Sequence, residues 1–193
     1  DLRQLERLLA ENHAAHRQVI VVTESIFSMD GDTADLKELV RLKQMYENVL
    51  LYVDEAHAFG ARGEQGLGCA EETGCIREID FLVGTFGKAA ASAGAYIVCR
   101  RTIREYLVNR MRTLIFTTAL PPVNIAWTLF IVRRLGGFRE RRIHLENISN
   151  ILREALKGKG YECPSASYIV PMIVGKSSET IPVSYTHLRA HET

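Results

Sequence analysis

The chain has 193 residues, 47% of them hydrophobic, and 24 lysines and arginines stand against 23 aspartates and glutamates. That balance gives no electrostatic case for a nucleic-acid or membrane-surface partner, and no apolar run approaches the roughly 18 residues of a membrane span. The opening Asp1-Leu2-Arg3-Gln4 lacks the apolar core of a signal peptide, which leaves a cytoplasmic origin as the default.

Leu2, Leu5, Leu8 and Leu9 recur at helical spacing and predict a surface helix over the first dozen residues. No cap precedes it, and the chain reads as beginning in mid-domain. Val19-Ile20-Val21-Val22 predicts a short buried strand, with a turn at Asp30-Gly31 beyond it. Asp35 is placed to cap a helix carried by Leu36, Leu39, Val40 and Leu42. The apolar run from Val49 to Val53 completes a strand, helix, strand unit. Repeating that alternation predicts an α/β fold with a mostly parallel sheet and helices on its faces.

Further strands are expected at Phe81 to Val83 and Tyr96 to Cys99, and a helix from Thr102 to Asn109. Arg112 to Phe116 reads as extended. Pro121-Pro122 opens the next helix where proline is tolerated, with Ile125, Leu129, Ile131 and Val132 as its buried face. Gly136-Gly137 breaks the chain before a charged amphipathic helix that runs through Leu156 and ends at Gly158 and Gly160. Tyr168 to Val174 reads as a strand that starts a second, smaller domain. The division expected is 1–135, 136–181 and a tail at 182–193. The residues from Val183 to Thr193 (VSYTHLRAHET) resemble a translated transposase adapter used in DNA library preparation, which takes His187 and His191 out of any site. Cys69, Cys75, Cys99 and Cys163 include no CxxC pair and read as reduced structural thiols, so no metal is expected.

The chemistry is concentrated between Val49 and Lys88. Two strand-length runs end in Asp54-Glu55-Ala56-His57 and in Gly84-Thr85-Phe86-Gly87-Lys88. Ligands of α/β sheets sit beyond the carboxyl ends of parallel strands, so this spacing predicts one site holding an acid, an imidazole and a lysine. Lys88, in a glycine-containing loop followed by small residues, is placed to form a Schiff base with an aldehyde such as pyridoxal phosphate (PLP), because a partly desolvated amine becomes nucleophilic. A lone lysine is more often a solvated surface charge. Asp54 supplies context: a fixed carboxylate keeps the cofactor's ring nitrogen protonated. By itself it would serve equally well as a turn or cap residue. His57 is placed to stack on the ring or to hydrogen-bond the substrate, while Glu55 between them points to another partner. The hydroxyls of Ser28, Thr85, Thr117 and Thr118, the last two preceded by Arg110 and Arg112, suit the cofactor's ring oxygen or phosphate; each is otherwise an ordinary turn hydroxyl.

Four segments in order, TESIFSMDGD (Thr23 to Asp32), YVDEAHAFGARGEQGLG (Tyr52 to Gly68), GTFGKAAASAGAY (Gly84 to Tyr96) and FTTALPP (Phe116 to Pro122), resemble the α-oxoamine synthases. These are fold-type I PLP enzymes that condense an amino acid with an acyl thioester and release carbon dioxide. The resemblance implies a three-layer, mostly parallel sheet of the PLP-binding large domain, truncated at both ends. It implies that Lys88 carries PLP as an aldimine, that Asp54 partners the pyridine nitrogen, and that His57 meets the phenolic oxygen or the substrate. Ser28 and Thr85 would touch the same cofactor. Thr117 and Thr118 would reach the phosphate of the neighbouring subunit's cofactor, so a homodimer is expected. GEQGLG and GTFGKA favour the members that join L-alanine to a pimeloyl thioester, on coenzyme A or a carrier protein, in biotin synthesis. Glycine C-acetyltransferase-like, serine palmitoyltransferase-like and 5-aminolevulinate synthase-like members share most of these residues.

The family's N-terminal glycine-rich loop and ring-stacking histidine are missing, as is the small-domain arginine that grips the amino-acid carboxylate. The chain alone is therefore expected to be inactive. Two other classes remain open. Leu50 to His57 resembles the magnesium-binding DEAH strand end of helicases, but Gly87-Lys88-Ala89 lies downstream and lacks the first glycine and the hydroxyl of a phosphate loop. A catalytically silent module that uses the fold only for association is the other.

Overall fold

A computed structural model describes residues 1–173, 175, 178 and 180–182. Its sheet has the order β1-β2-β3-β4, with β1 at Val19–Glu24, β2 at Val49–Asp54, β3 at Phe81–Thr85 and β4 at Ala95–Cys99. The first two pairings are parallel and β3 with β4 is antiparallel, so the fold is the expected mostly parallel α/β class with one reversed edge. Helix α2 (Leu36–Gln44) crosses from β1 to β2. Asp35 caps it, its Oδ1 accepting from the Glu38 amide at 3.0 Å, and Leu36, Leu39, Val40 and Leu42 are all buried. Helix α1 (Leu2–Asn12) does have a cap: the Asp1 carboxylate accepts from the Arg3 and Gln4 amides.

Along β2 the alternate residues Val49, Leu51 and Val53 are buried against α1 and α2, so Leu50, Tyr52 and Asp54 face the other way. The same alternation corrects the expectation for β1. It is an edge strand with one covered face, and Ile20 and Val22 are 53% and 67% exposed. With Ile97 open as well, the second face of the expected three-layer, mostly parallel and truncated sheet is covered only in part among the described residues.

Beyond the sheet lie α3 (Cys69–Glu72), α4 (Arg101–Arg110), α5 (Arg112–Ile115), α6 (Pro122–Arg134) and α7 (Arg139–Gly158). Arg112 to Phe116 is thus a helical turn, closed by bonds from the Ile115 amide to the Met111 carbonyl and from the Phe116 amide to the Arg112 carbonyl. Pro122 opens α6 as expected, yet α6 buries none of its residues; its apolar side chains surround the axis, and only part of that surface meets the rest of the chain. A 3-10 turn at Leu135–Phe138 holds Gly136-Gly137 and leads into α7. No strand forms over the described part of Tyr168 to Val174, residues 168–173. The Ser167 and Ile169 amides are taken by the hydroxyls of Ser165 and Ser167 instead of a neighbouring strand. Val174 and the adapter-like residues 183–193 lie outside the described residues. Among the described residues no helix is long and apolar enough to cross a membrane.

Candidate active site

Three adjacent parallel strands end side by side: Glu24 of β1 is in register with Asp54 of β2, and Asp54 with Val83 of β3. The chain beyond those ends carries Ser25 to Ser28, Glu55 to His57, and Thr85 to Lys88. This is where an α/β sheet opens a crevice.

Asp54 is half-buried, and its Oδ1 accepts from the Ala56 amide at 2.7 Å, leaving Oδ2 without a hydrogen bond among the described residues. That bond turns the chain sharply and brings His57 up beside the strand end. The His57 ring makes no hydrogen bond among the described residues, while its carbonyl accepts from the Tyr168 phenol at 2.6 Å. Burial first, then the Lys88 ammonium, hold its imidazole below its ordinary range, against the opposing pull of Glu24 and Asp54. Fields from both Lys88 and Asp54 therefore meet on one imidazole, which is neutral at pH 7.

Lys88 is exposed, and its side-chain amine has no hydrogen bond or ion pair among the described residues. It sits on a closed loop: Phe86 N–H donates to the Gly94 carbonyl at 2.9 Å, Ser92 N–H to Phe86 at 2.9 Å, and Ala91 N–H to Lys88 at 3.0 Å. The Thr85 hydroxyl is spent on the same loop, accepting from the Gly87 amide and donating to the Gly94 carbonyl. The small residues after Lys88 let α6 approach: Ala90 is buried with Phe59 and Leu135, and the Trp127 indole donates to its carbonyl at 2.9 Å. Gly84, beneath the loop, is fixed by Tyr96, whose phenol would collide with a Cβ at that position.

Asp54, His57, Thr85 and Lys88 are thus gathered at one end of the sheet, and Ser28 lies in the turn beyond β1, exposed. Thr117 and Thr118 make no hydrogen bond with them among the described residues. The Thr117 hydroxyl donates to the Thr113 carbonyl, and both threonines are exposed. Their segment still runs close by, because Leu120 packs over Gly94. Glu55 does point elsewhere, into the core, where it is fully buried and takes three hydrogen bonds. It cannot join Asp54 on a metal ion, which removes the structural support for the DEAH reading. A cleft of about 330 Å³ lies apart from the strand ends, between α7, the 61–64 loop and Tyr168, and holds none of Asp54, His57 or Lys88.

Two contributors carry weaker sequence signals. Glu24 lies in register beside Asp54 and acts on His57; only its place as the last residue of the preceding strand marks it. Tyr168 reaches His57 from 111 residues away, a pairing that no local pattern encodes.

Against known proteins, the family model for aminotransferase class I and II matches residues 1–191. A Glaesserella parasuis protein that carries the name 8-amino-7-oxononanoate synthase is 58% identical over 182 residues, 94% of this chain and 48% of that one. The structure of a serine palmitoyltransferase from S. paucimobilis with a bound PLP-myriocin aldimine superposes with a TM-score of 0.84 at 29% identity, over 92% of this chain and 46% of that one. The 8-amino-7-oxononanoate synthase of Francisella tularensis superposes with a TM-score of 0.80 at 26% identity, over 97% and 55%. The chain spans about half the length of the curated relatives it matches.

Proposed function

The chain belongs to the aminotransferase class I and II family, and from that premise we propose that it is the central part of a PLP-dependent α-oxoamine synthase. The whole enzyme would condense L-alanine with a pimeloyl thioester, carried on coenzyme A or a carrier protein, releasing carbon dioxide and the thiol. The names of the relatives support this choice over a glycine C-acetyltransferase-like or serine palmitoyltransferase-like specificity. The reaction would belong to biotin synthesis in the cytoplasm, and this chain alone would not turn over substrate.

The residues fit the cofactor. Lys88 offers an amine with no partner among the described residues, Asp54 offers a free Oδ2, and His57 offers an unpaired neutral ring between them. When bound, PLP supplies an electron sink for the α-carbon of the amino acid. Lys88 would hold the cofactor covalently at rest and, once freed, take the α-proton on its Nζ. Asp54 would keep a proton on the pyridine nitrogen through Oδ2, while the Ala56 amide holds the other oxygen still. His57 would stack on the ring or hydrogen-bond the substrate as a neutral group. Ser28 would offer a hydroxyl, and Thr85 would act mainly by shaping the lysine loop, with a remaining lone pair for the cofactor.

Thr117 and Thr118 would serve the neighbouring subunit's cofactor in a homodimer. The support is their place on the exposed segment between α5 and α6, beside Phe116, which is 76% exposed. The observation that carries the whole reading is the register of β1, β2 and β3, whose ends lie side by side with Asp54, His57 and Lys88 on the chain at and just beyond them. In the complete protein, Lys88→Ala should abolish the visible absorbance gained with PLP and all condensation of alanine with pimeloyl thioester. Retained absorbance in that variant would refute the assignment, and turnover with glycine or serine but not alanine would refute the specificity.

A further inference from the structure

The catalytic reading leaves a buried acidic group beside the site unused. Glu55 stands between Asp54 and His57, and it is fully buried. Its Oε2 accepts from the Ser25 hydroxyl at 2.6 Å and the Cys69 amide at 3.1 Å, and its Oε1 accepts from the Ala70 amide at 2.6 Å. Its own amide donates to the Val83 carbonyl at 2.7 Å, and its carbonyl accepts from the Ala58 and Phe59 amides. One residue thus ties the ends of β1, β2 and β3 to the start of α3. The Ser25 amide closes the ring by donating to the Asp54 carbonyl at 2.9 Å.

The node is built for a carboxylate. Every group that meets its oxygens is a donor, so an amide in its place would turn an NH₂ toward another N–H. Gly68, at φ +107°, must be glycine, because a Cβ there would lie 2.6 Å from Oε2. Burial pushes the Glu55 carboxyl up, and the three donors pull it back. Burial also pushes the Cys69 thiol beside it up to about 12, so the cysteine adds no second charge.

We propose that Glu55 is a positioning residue: its buried carboxylate fixes the turn that aims Asp54 and His57 at Lys88, without itself touching substrate or cofactor. The proposal rests on the reading of that site as a PLP site, but half of its test does not. The fields that act on His57 come from Lys88, Glu24 and Asp54. Loss of the Glu55 charge would by itself lower the His57 midpoint, so a rise on altering Glu55 reports movement of the ring away from Lys88 and its half-buried place.

In the complete protein, Glu55→Gln should weaken PLP binding by about tenfold or more, since a shift of the order of 1 Å at a catalytic group has effects of at least this size. In the same variant, prepared without PLP, the His57 midpoint followed by NMR should rise toward the ordinary value as the ring leaves Lys88 and its half-buried place. Ser25→Ala, which removes one donor and keeps the carboxylate, should move both readouts the same way and less far, and it decides the matter if Glu55→Gln does not fold. Leu39→Ala, in the same core but away from the node, should lower the melting temperature and move neither. The proposal is overturned if the node variants leave both readouts unchanged, or if Leu39→Ala moves them equally. Failure of the PLP reading looks different: the unaltered protein binds no PLP, while the His57 titration still answers for Glu55.

Discussion

Helices α2 and α6 are both rich in apolar side chains, and they meet opposite fates. In α2 the four apolar residues are all buried against the sheet, whereas α6 buries none of its residues. The difference lies in how the residues are distributed. Leu36, Leu39 and Val40 form one stripe, and one sheet face satisfies it. In α6, Val123, Ile125, Trp127, Leu129, Phe130, Ile131 and Val132 surround the axis, so a single chain covers only the part that meets Phe59, Ala90 and Leu135. A helix apolar on all sides is shaped for burial on several sides, and the described residues cover only one of them.

The sharpest way to break this comparison is to truncate one residue in each helix. Leu36→Ala, at a site 1% exposed, should cost about 2–5 kcal/mol in chemical denaturation. Val123→Ala, at 72% exposure, should stay within about 0.5 kcal/mol in the monomer and instead weaken self-association of the complete protein in sedimentation. Equal destabilisation of the monomer by the two would mean that α6 is packed within one chain after all. A smaller effect tests the same contrast at the backbone. Gly84→Ala should cost about 1–3 kcal/mol, because its Cβ would strike the Tyr96 ring, while Gly137→Ala meets nothing within 4 Å and should be close to neutral.

The contrast also explains what was legible in the sequence. α2 announces itself because cap, stripe and flanking strands agree, and the strand ends carrying Asp54, His57 and Lys88 follow from the same alternation. The stretch at Arg112–Ile115 does not, because a short apolar run without a cap or period suits a strand as well as a helical turn. The exposure of Ile20 and Val22 was hidden too: an apolar run tells how much burial a strand is built for, not whether its second face is covered in the chain at hand. At the site, the identities of the reacting groups were readable, but their supports were not. The partners of Glu55 at Ser25, Cys69 and Ala70, and the bond from Tyr168 to His57, join residues with no common local pattern.

The gentlest test asks whether the site belongs to the well-packed region alone. Burial and Lys88 depress the His57 midpoint, so the folded chain takes up this proton less readily than the unfolded one. The sign follows from that: stability is undiminished above the ordinary histidine value near 6.5 and declines as pH falls from there to the lower folded midpoint. NMR titration should then separate the neighbours by direction. Lys88→Met removes a repelling charge and should raise the midpoint, whereas Asp54→Asn removes an attracting one and should lower it. Thr118→Ala, on the segment between α5 and α6, should leave the midpoint unchanged in the monomer, because no field from that segment is among those acting on the ring. A midpoint that moved with Thr118 but not with Lys88 would place the controlling charges in the open helical region and dissolve the division between the two.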